Sequence, residues 1–300
     1  MRLSTAQFQR QSIQLMQQQS VDIAKTQAQL ASGKRLQTPS DDPLAAAQLQ
    51  PLKDNKAVQE QYERNADVAE YRLQLEDIQL AQFGNVLTRI NELAVQGVNG
   101  SMNDSDRATV AQEIRQGLTN LVSLANTQDA NGDYLFAGDN VKNTPIVESP
   151  ANTFTYTGDA GIRDIQIGKT RQIASGDPGS TVFMNVPFSG GGTQDIFTSI
   201  ANFATSLEAN TPSNVFLDDV QAGLDNVLIT RTKIGARLNA IDVKREDNDA
   251  RIFQTEVAIS RLEDVDFAEA ISRLSLQLVS LQASQQAFGR IQSLSLFDQI

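Results

Sequence analysis

The sequence predicts a mainly α protein with a β-rich insertion: a long antiparallel helical bundle, its terminal helices paired as a coiled coil, with a small β region in mid-chain. Three observations predict this. Apolar residues recur every seven positions over long stretches near both ends, as in helices packed along their length. Between residues 131 and 212 the texture changes to Gly-rich turns and short alternating runs. The order of elements is close to a palindrome: thin helix, charged joint, long helix, β-rich middle, long helix, charged joint, thin helix.

Residues 5–32 read as one helix with a narrow stripe. Met16, Ile23 and Leu30 repeat every seven residues, and Ile13 lies three before Met16. Nine Gln fall within residues 1–36, so the seam is thin and the helix would be marginal alone. The stretch ASGKRLQTPSDDPLAAAQ, residues 31–48, then reads as helix stop, extended connector and helix start. Gly33 can take the left-handed conformation that ends a helix. Lys34 and Arg35 stand at the negative end of its dipole. Pro39 biases Thr38 toward extended backbone. Asp42 can cap the next helix, Pro43 suits its first position, and Asp41 adds charge at its positive end. Pro51 is expected to kink or briefly break that helix.

From 52 to 99 the pattern is strongest. Ala66, Leu73, Leu80, Leu87 and Ala94 form one seven-residue series, and Tyr62, Ala69, Glu76, Phe83 and Ile90 another. A helix of that span is roughly 70 Å long. Glu76 alone breaks the seam, so it is expected to be paired or to sit where packing opens to water. GVNGSMNDSD, residues 97–106, makes a turn. A third helix follows to about 128, with Ala111, Ile114, Leu118, Leu121 and Ala125 on one face.

In the middle, TFTYTG, IRDIQIG, RQIAS and TVFMNV read as strands, with Gly158-Asp159 and Asp177-Pro178-Gly179 as tight turns. SGGGT, residues 189–193, reads as a flexible linker, and DIFTSIANFATSLEAN as a medium helix. A second long helix starts at Ser213, with Leu217, Val220, Leu224 and Val227, then Ile234, Leu238 and Ile241, at helical spacing. LEDVDFAE, residues 262–269, is a second charged joint carrying Asp264 and Asp266, and Asp266 with Glu269 resembles a capping box. Beyond it Phe267, Leu274, Leu281 and Phe288 repeat every seven residues with Ile271 and Leu278 between them, and the chain ends in SLSLFDQI.

This layout divides the chain into a terminal coiled-coil domain (1–33 with 269–300), connectors (34–42 and 262–268), a long-helix domain (43–130 with 213–261) and a β-rich outer region (131–212). The stripes near the two ends are most simply satisfied by each other, and charge favours it. Residues 1–36 carry a balance of +4, while 264–300 carry −2. Setting the stripes apart by joints points further, to a surface for neighbouring subunits: Ile13, Met16, Ile23, Leu30, Phe267, Ile271, Leu274, Leu278, Leu281 and Phe288.

Composition excludes much. A net charge of −11 argues against a nucleic-acid partner, because phosphate binding needs a basic patch. The sequence has no Cys and no His, which removes disulfides, thiolate nucleophiles, the usual zinc ligands and the commonest general base. No run of about 18 apolar residues occurs, so no membrane insertion is expected. The N-terminus lacks the continuous apolar region of a signal peptide. The protein is therefore cytosolic or leaves the cell without signal cleavage. GKT at 168–170 lacks the upstream Gly of a phosphate loop, since Arg163 stands there, and reads as a hairpin turn. DANGD at 129–133 lacks the Gly and Glu of a calcium loop, where Tyr134 and Asn140 stand. Glu246, Asp247 and Asp249 read as a charged helix surface. No enzyme, cofactor or metal site is expected.

The stretch 31–48 resembles the spoke region of the bacterial flagellin superfamily, and its PSDDP form resembles the hook-associated, hook–filament junction branch more than flagellin. NGDYLFAG at 131–138, KIGARLNAID at 233–242 and the stretch 262–300 are similar to other parts of that family, although SLFDQI departs from the usual flagellin ending. The resemblance covers 1–138 and 213–300. It implies an extracellular structural subunit of the flagellum that leaves by the flagellar type III export route. It also implies a ring of copies between the first hook-associated protein and flagellin, and an export chaperone on the C-terminal helix before secretion. Residues 33–42 would then be a spoke that lets a terminal helix reach an inner layer, with 262–268 as partner. A flagellin-type filament subunit is the alternative, and a cytosolic coiled-coil adaptor a more distant one.

Overall fold

A computed structural model describes residues 5–150, 152–187 and 191–297. Residues 189 and 190 of the expected linker, and the last three residues of SLSLFDQI, lie outside the described residues. Among these described residues, six α-helices and six short strands follow in the order α1 (Thr5–Ser32), α2 (Pro43–Gly97), α3 (Asp104–Ala125), β1 (Ile146–Ser149), β2 (Thr153–Tyr156), β3 (Asp164–Gly168), β4 (Arg171–Ala174), β5 (Val186–Pro187), β6 (Thr193–Gln194), α4 (Ile196–Glu208), α5 (Val215–Glu263) and α6 (Phe267–Phe297). The protein is mainly α with a small antiparallel β region in mid-chain, as its patterning predicts. The described strands pair as three two-stranded antiparallel sheets.

The chain forms two compact units. One comprises the described residues up to 58 and those from 250 onward; the other comprises residues 59–249. Helices α2 and α5 each contribute to both.

The core of the second unit follows the predicted seam. Leu73, Leu80, Leu87, Ala69, Phe83 and Ile90 on α2 are fully buried, as are Ile114 and Leu121 on α3. On α5 the buried residues Val220, Val227, Ile234 and Ile241 keep a strict seven-residue spacing. Residues spaced so stay on one face of a helix packed nearly parallel to its neighbour. The most apolar helix, α4, contributes Ile196, Phe197, Ile200, Phe203 and Leu207. An aromatic cluster joins it to the β region: Phe83, Phe136, Phe154, Phe183 and Phe197, with ring centroids 4.7 to 6.0 Å apart. Such offset and edge-on contacts add to area burial.

The helix starts obey capping chemistry. Asn103 accepts from Asp106 N at 2.8 Å and Asp195 from Thr198 N at 2.6 Å, each satisfying a donor that a first turn leaves orphaned.

Two expectations need correction. α2 runs through Pro51 without a break. The carbonyl that loses its partner there belongs to exposed Ala47, so water can take the bond. TVFMNV is not a strand. Residues Ser180–Met184 form a π-helical turn, and only Val186–Pro187 is extended. Val182 and Phe183 are both buried, and adjacent residues of a strand cannot both face one side.

Glu76 resolves as a paired and wholly buried group, 1% exposed. Its carboxylate accepts from the Asp177 N–H at 3.0 Å. Asp177 in turn takes a bidentate pair from Arg237, at 2.7 and 2.9 Å. The break in the α2 seam is thus the point where the loop at 175–179 is tied to α2 and α5.

Candidate functional site: the terminal helix pair and its clasp

In the first unit, α1 packs against α6. The seam on α1 is Met16, Gln19, Ile23, Thr26 and Leu30, spaced alternately by three and four; Ile23 and Thr26 are buried and the others half-buried. Its counterpart on α6 is buried Ala270 with half-buried Leu274, Gln277, Leu281, Ser284 and Phe288. Both strips therefore alternate apolar and polar layers. The polar ones are matched: Thr26 Oγ1 stands 3.0 Å from the Gln277 side-chain oxygen, and Gln19 Nε2 donates to Ser280 Oγ at 3.1 Å. Polar residues at seam positions fix register at some cost in stability.

The pair divides the predicted interface residues. Met16, Ile23, Leu30, Leu274, Leu281 and Phe288 lie along the seam. Ile13 is 43% exposed, Phe267 53%, Ile271 55% and Leu278 47%, so these four are left outside it. The seven-residue stripe on α6 is accordingly split. Leu274, Leu281 and Phe288 lie along the seam and Phe267 does not, while Ile271 and Leu278 between them face away from it.

The connectors form a clasp. Gly33 takes φ +71°, the left-handed region that favours glycine. Its carbonyl accepts from Val265 N at 3.0 Å. Lys34 pairs with Asp264 in a single antiparallel bridge, and Arg35 N donates to Glu263 O at 2.6 Å. The Arg35 guanidinium reaches Leu262 O at 2.8 Å and Asp42 at 3.3 Å. Asp41 accepts from Gln37 N and Thr38 N and pairs with Lys25 at 2.7 Å. These bonds hold its carboxyl well below the usual carboxylate range, Lys25 first. Asp42 accepts from Ala45 N at 3.1 Å and so caps α2, with Pro43 as its first residue. That bond, with Arg35, lowers its pKa. Asp266 caps α6 through Ala268 N and Glu269 N. Pro39 is exposed in the connector.

Most of these charges are solvated, as a connector requires. Glu263 is the exception, at 6% exposed. It receives Lys34 and Lys53, each at 2.9 Å. Burial pushes its carboxyl up, but the two ammonium groups outweigh burial and leave its pKa lowered. Lys34 is raised by the same bond. Sequence reasoning missed Glu263, Lys53, Thr26 and Gln277. Thr26 and Gln277 were findable, because they occupy the intermediate positions of the two apolar repeats. Glu263 carried no such signal, because its lysines are remote in sequence.

No group of three or more acidic side chains able to hold a metal ion occurs among the described residues. None of their helices is long and apolar enough to cross a membrane. What the arrangement offers is a helix pair with a specified register, held at its base by a polar clasp.

Residues 3–141 match the family described as the bacterial flagellin N-terminal helical region, and residues 217–298 match the bacterial flagellin C-terminal helical region. Paired terminal helices with these two regions define a flagellin-class protein. Among relatives, flagellar hook-associated protein 3 of Escherichia coli (strain K12) is 31% identical over 317 residues, covering 99% of each chain. Its counterpart in Salmonella typhimurium is 29% identical over 316 residues, again covering 99% of each. The crystal structure of flagellar hook-associated protein 3 from Legionella pneumophila superposes with a TM-score of 0.67 at 19% identity, covering 71% of this chain and 98% of that one. The chain belongs to the flagellar hook-associated protein 3 family, a family of flagellar structural proteins.

Proposed function

We propose that this protein forms the junction layer between hook and filament. It would be exported by the flagellar type III route, held beforehand by a chaperone on its C-terminal helix, and assembled through its terminal helices. Copies would form a ring, with the first hook-associated protein on the hook side and flagellin on the filament side. The observation that carries this reading is the full-length likeness to the Escherichia coli relative, because it extends through both terminal helices and the clasp. The exposed Ile271, Leu278 and Ile13 support it: they are apolar, lie on the paired helices, and are left for neighbours. In this proposal the division 1–33 with 269–300, 34–42 with 262–268, and the remainder describes inner layer, spokes and outer body.

The test is deletion of the gene in a motile host. Hooks should persist and filaments be lost into the medium. Antibodies to the protein should mark one narrow band at the hook–filament boundary on wild-type flagella. Labelling along the whole filament would instead make it a filament subunit, and attached filaments in the deletion strain would end the junction reading.

A further inference from the structure

Asn99 and Asn131 are the two asparagines followed by glycine in this sequence. An Asn-Gly pair can cyclise: the glycine amide nitrogen attacks the side-chain Cγ, and the Asn Nδ2 leaves as ammonia. Three local features control the rate: crowding over the glycine, freedom of its N–H, and stabilisation of the oxyanion that develops on Oδ1.

The two sites differ in the second and third features. Both lie on turns, and a Cβ added at Gly100 or at Gly132 would meet nothing within 4 Å. In the turn after α2, Asn99, Gly100 and Ser101 are all exposed. Gly100 N donates to no atom among the described residues, so its nitrogen is free to attack. Asn99 Oδ1 accepts from Ser101 N at 3.1 Å and from Ser101 Oγ at 3.0 Å. Two donors aimed at the oxygen where negative charge develops are the arrangement that stabilises a tetrahedral intermediate. At Asn131 the nucleophile is engaged: Gly132 N donates to Asp129 O at 3.0 Å. The same loop is fixed by the Asp129 side chain, which accepts from Asn131 N at 2.8 Å and Asp133 N at 3.0 Å.

We propose that Asn99 is a self-modification site, converting in the folded protein through a succinimide to isoaspartate. The atoms balance without any co-reactant but water. The Gly100 nitrogen bonds to Cγ and loses its proton, Cγ–Nδ2 breaks and ammonia departs. Water then opens the ring. When it adds at the original backbone carbonyl, the bond from that carbon to nitrogen breaks, the chain continues through Cγ, and the former carbonyl becomes a free carboxylate. That carbonyl already accepts from Arg107 Nη2 at 3.1 Å. The product therefore places a new anion against a guanidinium, which favours isoaspartate over aspartate. Arg107 also bonds Asn210, whose amide holds Asp104 at 2.7 Å. The modification thus alters the polar cluster that joins the α2–α3 turn to the α4–α5 turn.

The experiment incubates the full-length protein, folded and in parallel urea-unfolded, in neutral buffer made with isotopically heavy water. Peptide mass spectrometry then follows conversion at both asparagines, and isoaspartyl methyltransferase labelling reads the isomer. Asn99 should convert several-fold faster than Asn131 in the folded protein, with isoaspartate the major product, and the difference should largely vanish in urea. Ser101→Ala should slow Asn99 several-fold in the folded state and leave the unfolded rate unchanged. Equal rates in the folded protein, faster conversion at Asn131, or no response to Ser101→Ala would each overturn the proposal.

Discussion

Burial, and then the Asp177 carboxylate, push the Glu76 carboxyl up to about 8, against the pull of Arg237 and Arg72. Its ordinary value is 4.5, so the unfolded chain releases a proton between these limits that the fold retains. Stability therefore falls as pH rises from about 4.5 toward 8. Glu76→Gln keeps an acceptor for the Asp177 N–H and removes the titration. Urea unfolding of this variant across that window should lose most of the slope and gain stability at the alkaline end. An unchanged slope would place the titration elsewhere. Glu76→Leu should cost about 1–3 kcal/mol, because it orphans the buried Asp177 N–H. Arg237→Ala should cost about 3 kcal/mol by leaving Asp177 in the interior without its partner.

At the scale of elements, the clasp has the opposite pH behaviour. Glu263 lies below its ordinary value, so the stability it lends is present above that ordinary value and is lost as pH falls through the lowered one. Protection of the Val265 and Arg35 amides, relative to their intrinsic exchange rates at each pH, should fall in acid, and Glu263→Gln should bring the same fall at neutral pH. Protection that is indifferent to this change would mean that the backbone bonds alone hold the clasp. Gly33→Ala should destabilise the same amides by about 1 kcal/mol, since φ +71° strains any other residue.

Elements were also the best-read level of the sequence. The bounds of α1, the α2 seam and the seven-residue face of α5 follow from spacing, because a long helix repeats its signal many times. The β region offered less. The strand Ile146–Ser149 went unread because four residues hold no period, and the π-helical turn was mistaken for a strand because it is equally rich in Val and Phe. The partners of Glu76 and Glu263 were not legible. Their bonds join positions 101 and 210 residues apart, and nothing local encodes them.

For the whole molecule, the two compact units predict separable damage. Leu274→Ala with Leu281→Ala removes two apolar layers from the α1–α6 seam. Both are half-buried, so the loss should sit at the low end of about 2–5 kcal/mol for each side chain. The main thermal transition, set by the core of residues 59–249, should stay nearly in place while amide protection in α1 and α6 collapses and filament attachment fails. A main transition that falls steeply would show that both units melt as one.

The Thr26–Gln277 layer also bears on the order of folding. Joining these positions in an otherwise unfolded chain closes a loop of 251 residues. Once residues 59–249 have folded, Glu63 and Arg245 stand 3.6 Å apart. The remaining open chain is then about 70 residues, which lowers the closure entropy by about 1 kcal/mol. In order of folding, the terminal pair is therefore expected to close after the core, while at equilibrium each lowers the closure cost of the other by that same amount.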